Sequence, residues 1–281
     1  MYKQKLCFGL GPVKGVSPLE QIELYHRTGF EGFFSDREGC VEFRKKADEL
    51  GMYYQSIHAP FGKAADFWRG GEAAEIAVAE LIDCLEDCAR VEVPIMVSHT
   101  FIGFEDHEPN EIGVENYGRV CRRAKELGVQ VAFENTEGEE YLQAAMTLVK
   151  EYPDTVGFCW DTGHEMCYNY SKDMLALYGK HLIATHLNDN LGIRDFGGKI
   201  TWIDDLHLLP FDGVGDWEGI VTRLAAHNFT GPLTFELNIG SKPNRHENDK
   251  YMAMSPEAYV AEAYNRACRV ATMLCKVRSK K

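Results

Sequence analysis

Short apolar runs alternate along this chain with longer stretches whose apolar positions recur every three or four residues, and glycines stand at many of the seams. The first pattern predicts strands and the second predicts amphipathic helices. Residues 5–10 read as a first strand, followed by a helix from Ser17-Pro18 to Thr28 and a stop at Gly29. Strands at 31–36 and 52–57 bracket a helix at 41–50 that ends on Gly51, and the third strand runs into His58-Ala59-Pro60. A loop at 61–71 carries Phe67 and Trp68; a helix at 72–90 and a strand at 94–98 ending on His99 follow.

The second half repeats the beat. A helix at 116–127 closes at Gly128, and a strand at 129–133 ends on Glu134-Asn135. Next come a helix at 139–151, a strand from Val156 that stops at Asp161-Thr162-Gly163-His164, a short helix at 173–178 and a strand at 182–185 ending on His186. A long glycine-bearing loop precedes the helix at 217–227, the strand at 232–235 ends on Glu236, and a helix at 256–276 is the last element. Eight strand and helix pairs in strict alternation predict one parallel sheet with right-handed crossovers, closed as an α/β, (β/α)8 TIM barrel in a single domain over residues 1–281. The competing open, doubly wound sheet lacks support, because no Gly-x-Gly-x-x-Gly follows the first strand.

Composition changes this picture little. The length of 281 residues suits one barrel, and the hydrophobic fraction of 45% is that of an ordinary globular protein. No apolar run approaches the ~18 residues of a membrane span, and residues 6–10 are too short for a signal-peptide core, so the expected location is cytoplasmic, with no membrane partner. A net charge of −13 argues against a surface that tracks nucleic-acid phosphates. Arg119, Arg122, Arg123 and Lys125 read as a solvated helix face, and Lys276 to Lys281 as a solvated tail. The nine cysteines include no Cys-x-x-Cys and several sit in apolar runs, so they are expected to be reduced core thiols. Self-association into a homo-oligomer is compatible with the sequence.

In a parallel barrel all strand C-termini open on one face. The six ends from the third strand to the eighth carry His58, His99, Glu134, Asp161 with His164, His186 and Glu236, and the seventh loop adds Asp205 and His207. One such residue alone is more often a structural hydrogen-bonding group, and Asp161 three residues before His164 is by itself a helix-cap pattern; six ends in succession point to one polar pocket. His26, His107, His181, His227 and His246 fall elsewhere and are expected to be structural or exposed. Mixed His, Asp and Glu donors suit zinc, manganese, cobalt or iron rather than calcium. The carboxylate-rich subset Glu134, Asp161, His186 and Glu236 leans toward manganese, cobalt or magnesium, and the histidine-rich remainder leans toward zinc.

These residues resemble a family. Ser56-Ile57-His58-Ala59-Pro60, Ala132-Phe133-Glu134-Asn135, Trp160-Asp161-Thr162-Gly163-His164, Thr185-His186-Leu187-Asn188-Asp189, Asp205-Leu206-His207 through Gly213-Val214-Gly215-Asp216, and Thr234-Phe235-Glu236 are similar to motifs of the xylose-isomerase-like barrels. That family includes sugar and sugar-phosphate isomerases and epimerases and the type IV AP endonucleases. The resemblance implies one divalent metal (manganese, cobalt, magnesium or zinc) on Glu134, Asp161, His186 and Glu236, with Glu134 and Glu236 moving a carbon-bound proton through an enediolate. It implies substrate contacts from His58, His99 and His164, or, in the nuclease branch, further zinc ligation by His58, His99, His164, Asp205 and His207. Phe61, Trp68, Trp202 and Asn188 could line a sugar site. A nuclease would want cations on its loops, where the chain offers Lys63, Arg69, Arg194 and Lys199. A sugar or sugar phosphate is the expected partner, with a polyol or keto-sugar dehydratase, a phosphodiester hydrolase and a non-catalytic sugar binder as the alternatives.

Overall fold

Eight short runs rich in apolar and aromatic residues form the strands β1 (Leu6–Gly9), β2 (Gly32–Asp36), β3 (Tyr53–His58), β4 (Ile95–His99), β5 (Gln130–Glu134), β6 (Val156–Asp161), β7 (Leu182–His186) and β8 (Leu233–Phe235). The intervening helices are α1 (Pro18–Thr28), α2 (Cys40–Leu50), α3 (Gly71–Arg90), α4 (Glu111–Leu127), α5 (Glu139–Met146), α6 (Thr162–Cys167), α7 (Met174–Tyr178), α8 (Trp217–Ala226), α9 (Asp249–Met252) and α10 (Pro256–Arg278). This is a computed structural model, and it describes residues 4–11, 13, 15–104, 108–193 and 199–280. His107, Arg194 and Lys281 lie outside the described residues.

All strand pairs are parallel, in the order β7-β6-β5-β4-β3-β2-β1-β8. A parallel bridge between Leu187 and Phe235 joins the two end strands, with the Leu187 N–H donating to the Thr234 carbonyl at 2.8 Å. The fold is therefore a (β/α)8 TIM barrel in a single domain.

The two-residue period of each strand decides where side chains go. Val131, Phe133, Phe158 and Trp160 belong to the large core between sheet and helices, whereas Ile95, Val97, Ala132, Cys159 and Ala184 form a separate cluster inside the barrel. The next inward position beyond Val97, Ala132, Cys159 and Ala184 is His99, Glu134, Asp161 and His186 respectively. Ser56 and Thr234, both fully buried, stand the same two residues before His58 and Glu236. The polar residues are thus one layer at the top of the barrel, resting on a floor of small and β-branched side chains.

Three local features differ from the sequence expectations. Helix α4 starts at Glu111, five residues ahead of the expected 116, because Asn110 caps it by accepting from the Gly113 N–H at 3.1 Å. The loop at 61–71 contains a 3₁₀ turn, Ala64–Trp68, that buries Phe67 and Trp68. Helix α6 begins directly at the end of β6, where the Asp161 carboxylate accepts from the His164 N–H at 2.6 Å. Asp161 is accordingly both a helix cap and a member of the polar layer.

Candidate metal centre

Glu134 is the hub. Fully buried, it turns Oε1 to His186 Nδ1 at 2.8 Å and Oε2 to both His58 Nε2 and His99 Nε2 at 3.3 Å. Across from it, Glu236 Oε2 lies 2.9 Å from the same His186 Nδ1. One potential ligand atom from each of Glu134, Asp161, His186 and Glu236 lies within 4.8 Å of the others. Three further groups meet the same limit: His58, His99 and Glu134 on one side, His164, Asp205 and His207 on the other, and Glu134 and His186 with the buried Cys159. All nine ligand-type residues expected from the sequence therefore come together.

Most of the imidazoles are aimed by backbone. His58 Nδ1–H donates to the Ala59 carbonyl at 3.0 Å, His164 Nδ1–H to Asn135 at 3.0 Å and His207 Nδ1–H to Glu236 at 3.2 Å. Each leaves Nε2 facing the cluster, the arrangement by which outer partners orient metal-binding histidines. Phe34 stacks on His186 with ring centres 4.6 Å apart. The Asn135 side chain clamps the end of β6, donating to the Asp161 carbonyl and accepting from the Asp161 N–H, both at 2.8 Å.

Asp189 anchors the long seventh loop. Its carboxylate accepts from the N–H groups of Phe211 and Gly215 at 2.9 Å and from Trp217 Nε1 at 2.8 Å. A Cβ on Gly213 would stand 2.2 Å from the Asn190 carbonyl oxygen, so only glycine allows that approach. The loop in turn carries Asp205 and His207 to the cluster.

The electrostatics are those of a cation site. Burial opposes ionisation of Glu134, yet His186, His58 and His99 hold its carboxyl well below the usual range. Desolvation likewise opposes a charged Glu236, but His186 and His207 bring it down to about 2. Burial raises Asp161 to about 6, with Glu134 and Glu236 adding to the rise. Burial opposes a charged His186, yet the adjoining Cys159 and the Glu134 and Glu236 carboxylates hold it well above the ordinary imidazole value. Three carboxylates thus converge on one imidazole, whose Nδ1 proton lies between Glu134 and Glu236. The donor set fits a divalent ion, which would relieve the like-charge crowding of the three carboxylates.

The remaining candidates separate. Asn188 is buried in the cluster, donating from Nδ2 to Asp161 Oδ2 at 2.8 Å, while its Oδ1 has no partner among the described residues. Trp202 is half exposed, with the Lys242 ammonium 5.4 Å from the centre of its ring. Phe61 stacks on His99 at 4.5 Å and meets His58 edge-on at 5.6 Å, so it forms an aromatic wall beside the histidines. Trp68 takes a packing role: it is buried against Tyr117 and Tyr141 and donates to the Thr100 carbonyl at 2.7 Å. His26, His181, His227 and His246 belong to none of the four ligand-type groups.

Sequence reasoning passed over Phe34, Tyr168 and Lys242. Phe34 was accessible to it, since it stands two residues before Asp36 on the inward set of β2. Tyr168, whose ring lies 5.1 Å from His164, follows a helix too short to show a period. Lys242 sits in an irregular loop after β8.

A parallel barrel with a layer of histidines and carboxylates at its C-terminal mouth places the chain among the TIM barrels, with candidate metal ligands at the strand ends. A family model described as xylose isomerase-like TIM barrel matches residues 19–262, and the chain belongs to that family. The uncharacterised protein y4fM of Sinorhizobium fredii (strain NBRC 101917 / NGR234) is 34% identical over 160 residues, which are 55% of this chain and 45% of that protein. The match thus spans less than half the length of that curated relative. Among solved structures, a xylose isomerase domain protein from Planctomyces limnophilus superposes with a TM-score of 0.72 at 16% identity, covering 98% of this chain and 99% of the other. A D-psicose 3-epimerase from Clostridium cellulolyticum H10, solved with D-tagatose, gives 0.68 at 16% identity over 95% and 99%. At these identities the likeness is one of fold. Among the described residues no helix is long and apolar enough to cross a membrane.

Proposed function

We propose that the protein is a divalent-metal-dependent isomerase or epimerase of a sugar or sugar phosphate. The observation that carries this reading is the placement of Glu134 and Glu236 against one imidazole nitrogen, 2.8 and 2.9 Å from His186 Nδ1. Two carboxylates flanking one point suit proton removal from one face of a substrate carbon and proton return on the other. Glu134, Asp161, His186 and Glu236 would hold a divalent ion, which when bound would supply Lewis-acid stabilisation of charge that develops on substrate oxygens. Glu134 and Glu236 exchange the carbon-bound proton, and the depressed values of both carboxyls mean that this proton must itself be acidified next to a carbonyl. His164 holds a substrate hydroxyl, Phe61 covers an apolar face of the sugar, and Asn188 keeps Asp161 oriented. The epimerase among the structural neighbours supports the same reading.

The test is carbon-bound deuterium uptake. Metal-stripped protein is loaded with manganese, cobalt, magnesium or zinc, mixed with a panel of ketoses in D₂O and followed by NMR. Exchange beside the carbonyl is expected, and it should disappear in Glu134→Gln and in Glu236→Gln; exchange that survives in both would refute proton transfer between them.

A second reading, metal-dependent phosphodiester hydrolysis, is favoured by one observation: Glu134 offers its other oxygen to His58 and His99, and His164, Asp205 and His207 form a third group. Against it, the loop cations Lys63 and Arg69 are paired with Glu80 and Asp66 rather than presented to a backbone phosphate. Two or three zinc ions per chain, with cleavage of DNA at an abasic site, would favour hydrolysis.

A further inference from the structure

The loop after β8 brings a lysine to the histidine-rich side of the site. The Lys242 side chain is four-fifths buried, its exposure being 19%, and its ammonium lies 3.8 Å from Asp205 Oδ2. It also stands over the Trp202 ring at 5.4 Å, and it makes no hydrogen bond among the described residues. Asp205 Oδ2 is the same oxygen that meets His207 Nε2 at 2.8 Å and His164 Nε2 at 3.5 Å. The third ligand-type group therefore already has a fixed positive charge on its only carboxylate. An ion coordinated by that carboxylate would stand within a few ångströms of the ammonium, where repulsion between like charges in a desolvated pocket is large. Among the described residues no lysine or arginine pairs with the carboxylates of the four-ligand group, whose partners are imidazoles: His186, His58 and His99 at Glu134, His186 and His207 at Glu236, and His164 at Asp161.

We propose that Lys242 takes the cation's place in the group of His164, Asp205 and His207, so that this group binds no metal ion and serves as a polar anchor for substrate. Asp205 Oδ1, buried and without a partner among the described residues, then accepts from a sugar hydroxyl, and the Lys242 ammonium donates to a neighbouring substrate oxygen. This anchoring role rests on the sugar reading above; exclusion of the ion does not. Arg245 provides the comparison, because its guanidinium is 3.7 Å from Asp204 but is held by Glu247 at 2.8 Å.

The test counts zinc. Metal-stripped full-length protein, Lys242→Met, Lys242→Arg and Arg245→Met are dialysed against zinc and analysed for ions per chain, with circular dichroism to match their folds. Lys242→Met should hold one ion more than the wild type, its third-group affinity rising by roughly 100-fold or more, while Lys242→Arg and Arg245→Met match the wild type. Lys242→Gln replaces the Met variant if that one does not fold. Equal counts in the wild type and the neutral variant would overturn the proposal, as would the same gain in Arg245→Met. The difference between proteins tests the role of Lys242, whereas a wild type that holds no ion would refute the four-ligand centre and leave that difference readable.

Discussion

The four-ligand group around His186 and the histidine-rich group around Asp205 use the same residue types at the same end of one barrel, but they balance charge in opposite ways. The first gathers three carboxylates, Glu134, Asp161 and Glu236, about the single imidazole of the group, and burial, with the neighbouring carboxylates adding to it, raises Asp161 to about 6. The second sets one carboxylate against two imidazoles and an ammonium; burial opposes ionisation of Asp205, yet His207 and His164 hold it well below the usual range. Donor identity marks both groups as metal-like. The charge count marks only the first as needing a cation.

The largest effect that would break this contrast lies in the carboxylates. Glu134→Gln and Glu236→Gln should each lower deuterium exchange by roughly 10²–10⁴-fold without unfolding the chain.

Asp161→Asn should act with opposite signs in the two metal states. In the metal-free protein the folded value of about 6 lies above the unfolded carboxylate's, so the folded state is favoured below the unfolded value and loses ground as pH rises through 6. Asn carries no such cost: its carbonyl still caps α6, and a flip of Asn188 satisfies its amide. The metal-free variant should be more stable than the wild type above pH 6, by roughly 1–3 kcal/mol, in urea unfolding. With manganese present the order should invert, the variant binding the ion more weakly by more than the roughly 10–100-fold that loss of an outer partner costs. No inversion would mean that Asp161 serves the helix alone.

A smaller effect probes the support beneath Asp161. A Cβ at Gly163 would lie 1.9 Å from Asn188 Oδ1. Gly163→Ala should push Asn188 off Asp161 and destabilise the protein by about 1–3 kcal/mol, measured by the same unfolding curve.

Much of this was legible because a parallel barrel turns sequence into geometry by a simple rule. Each of His58, His99, Glu134, Asp161, His186 and Glu236 ends or directly follows an apolar run, and closure of the sheet brings those ends together. The pairing within the layer was not legible, since it depends on register: His99 is level with Glu134 and Asp161 with His186. Trp68 shows the limit for aromatics. Its place in a loop suggests a sugar-stacking wall, but Gly113 leaves a hollow at 2.0 Å from its ring that draws it into the core. Helix α6 leaves no pattern in the sequence because six residues hold too little of a helical period, and the spacing of Asp161 and His164 reads as a cap or as ligands, whereas Asp161 both caps the helix and joins the polar layer. Lys242 had no signal at all, being brought to Asp205 by a loop from the far end of the chain.

The central claim is that a divalent ion belongs to the group around His186 and not to the group around Asp205. Equilibrium dialysis of manganese against metal-stripped His186→Ala and His207→Ala tests it most directly. The account predicts that the tightest-bound ion is lost from His186→Ala and kept by His207→Ala. An ion that survives the first substitution, or disappears with the second, would contradict it.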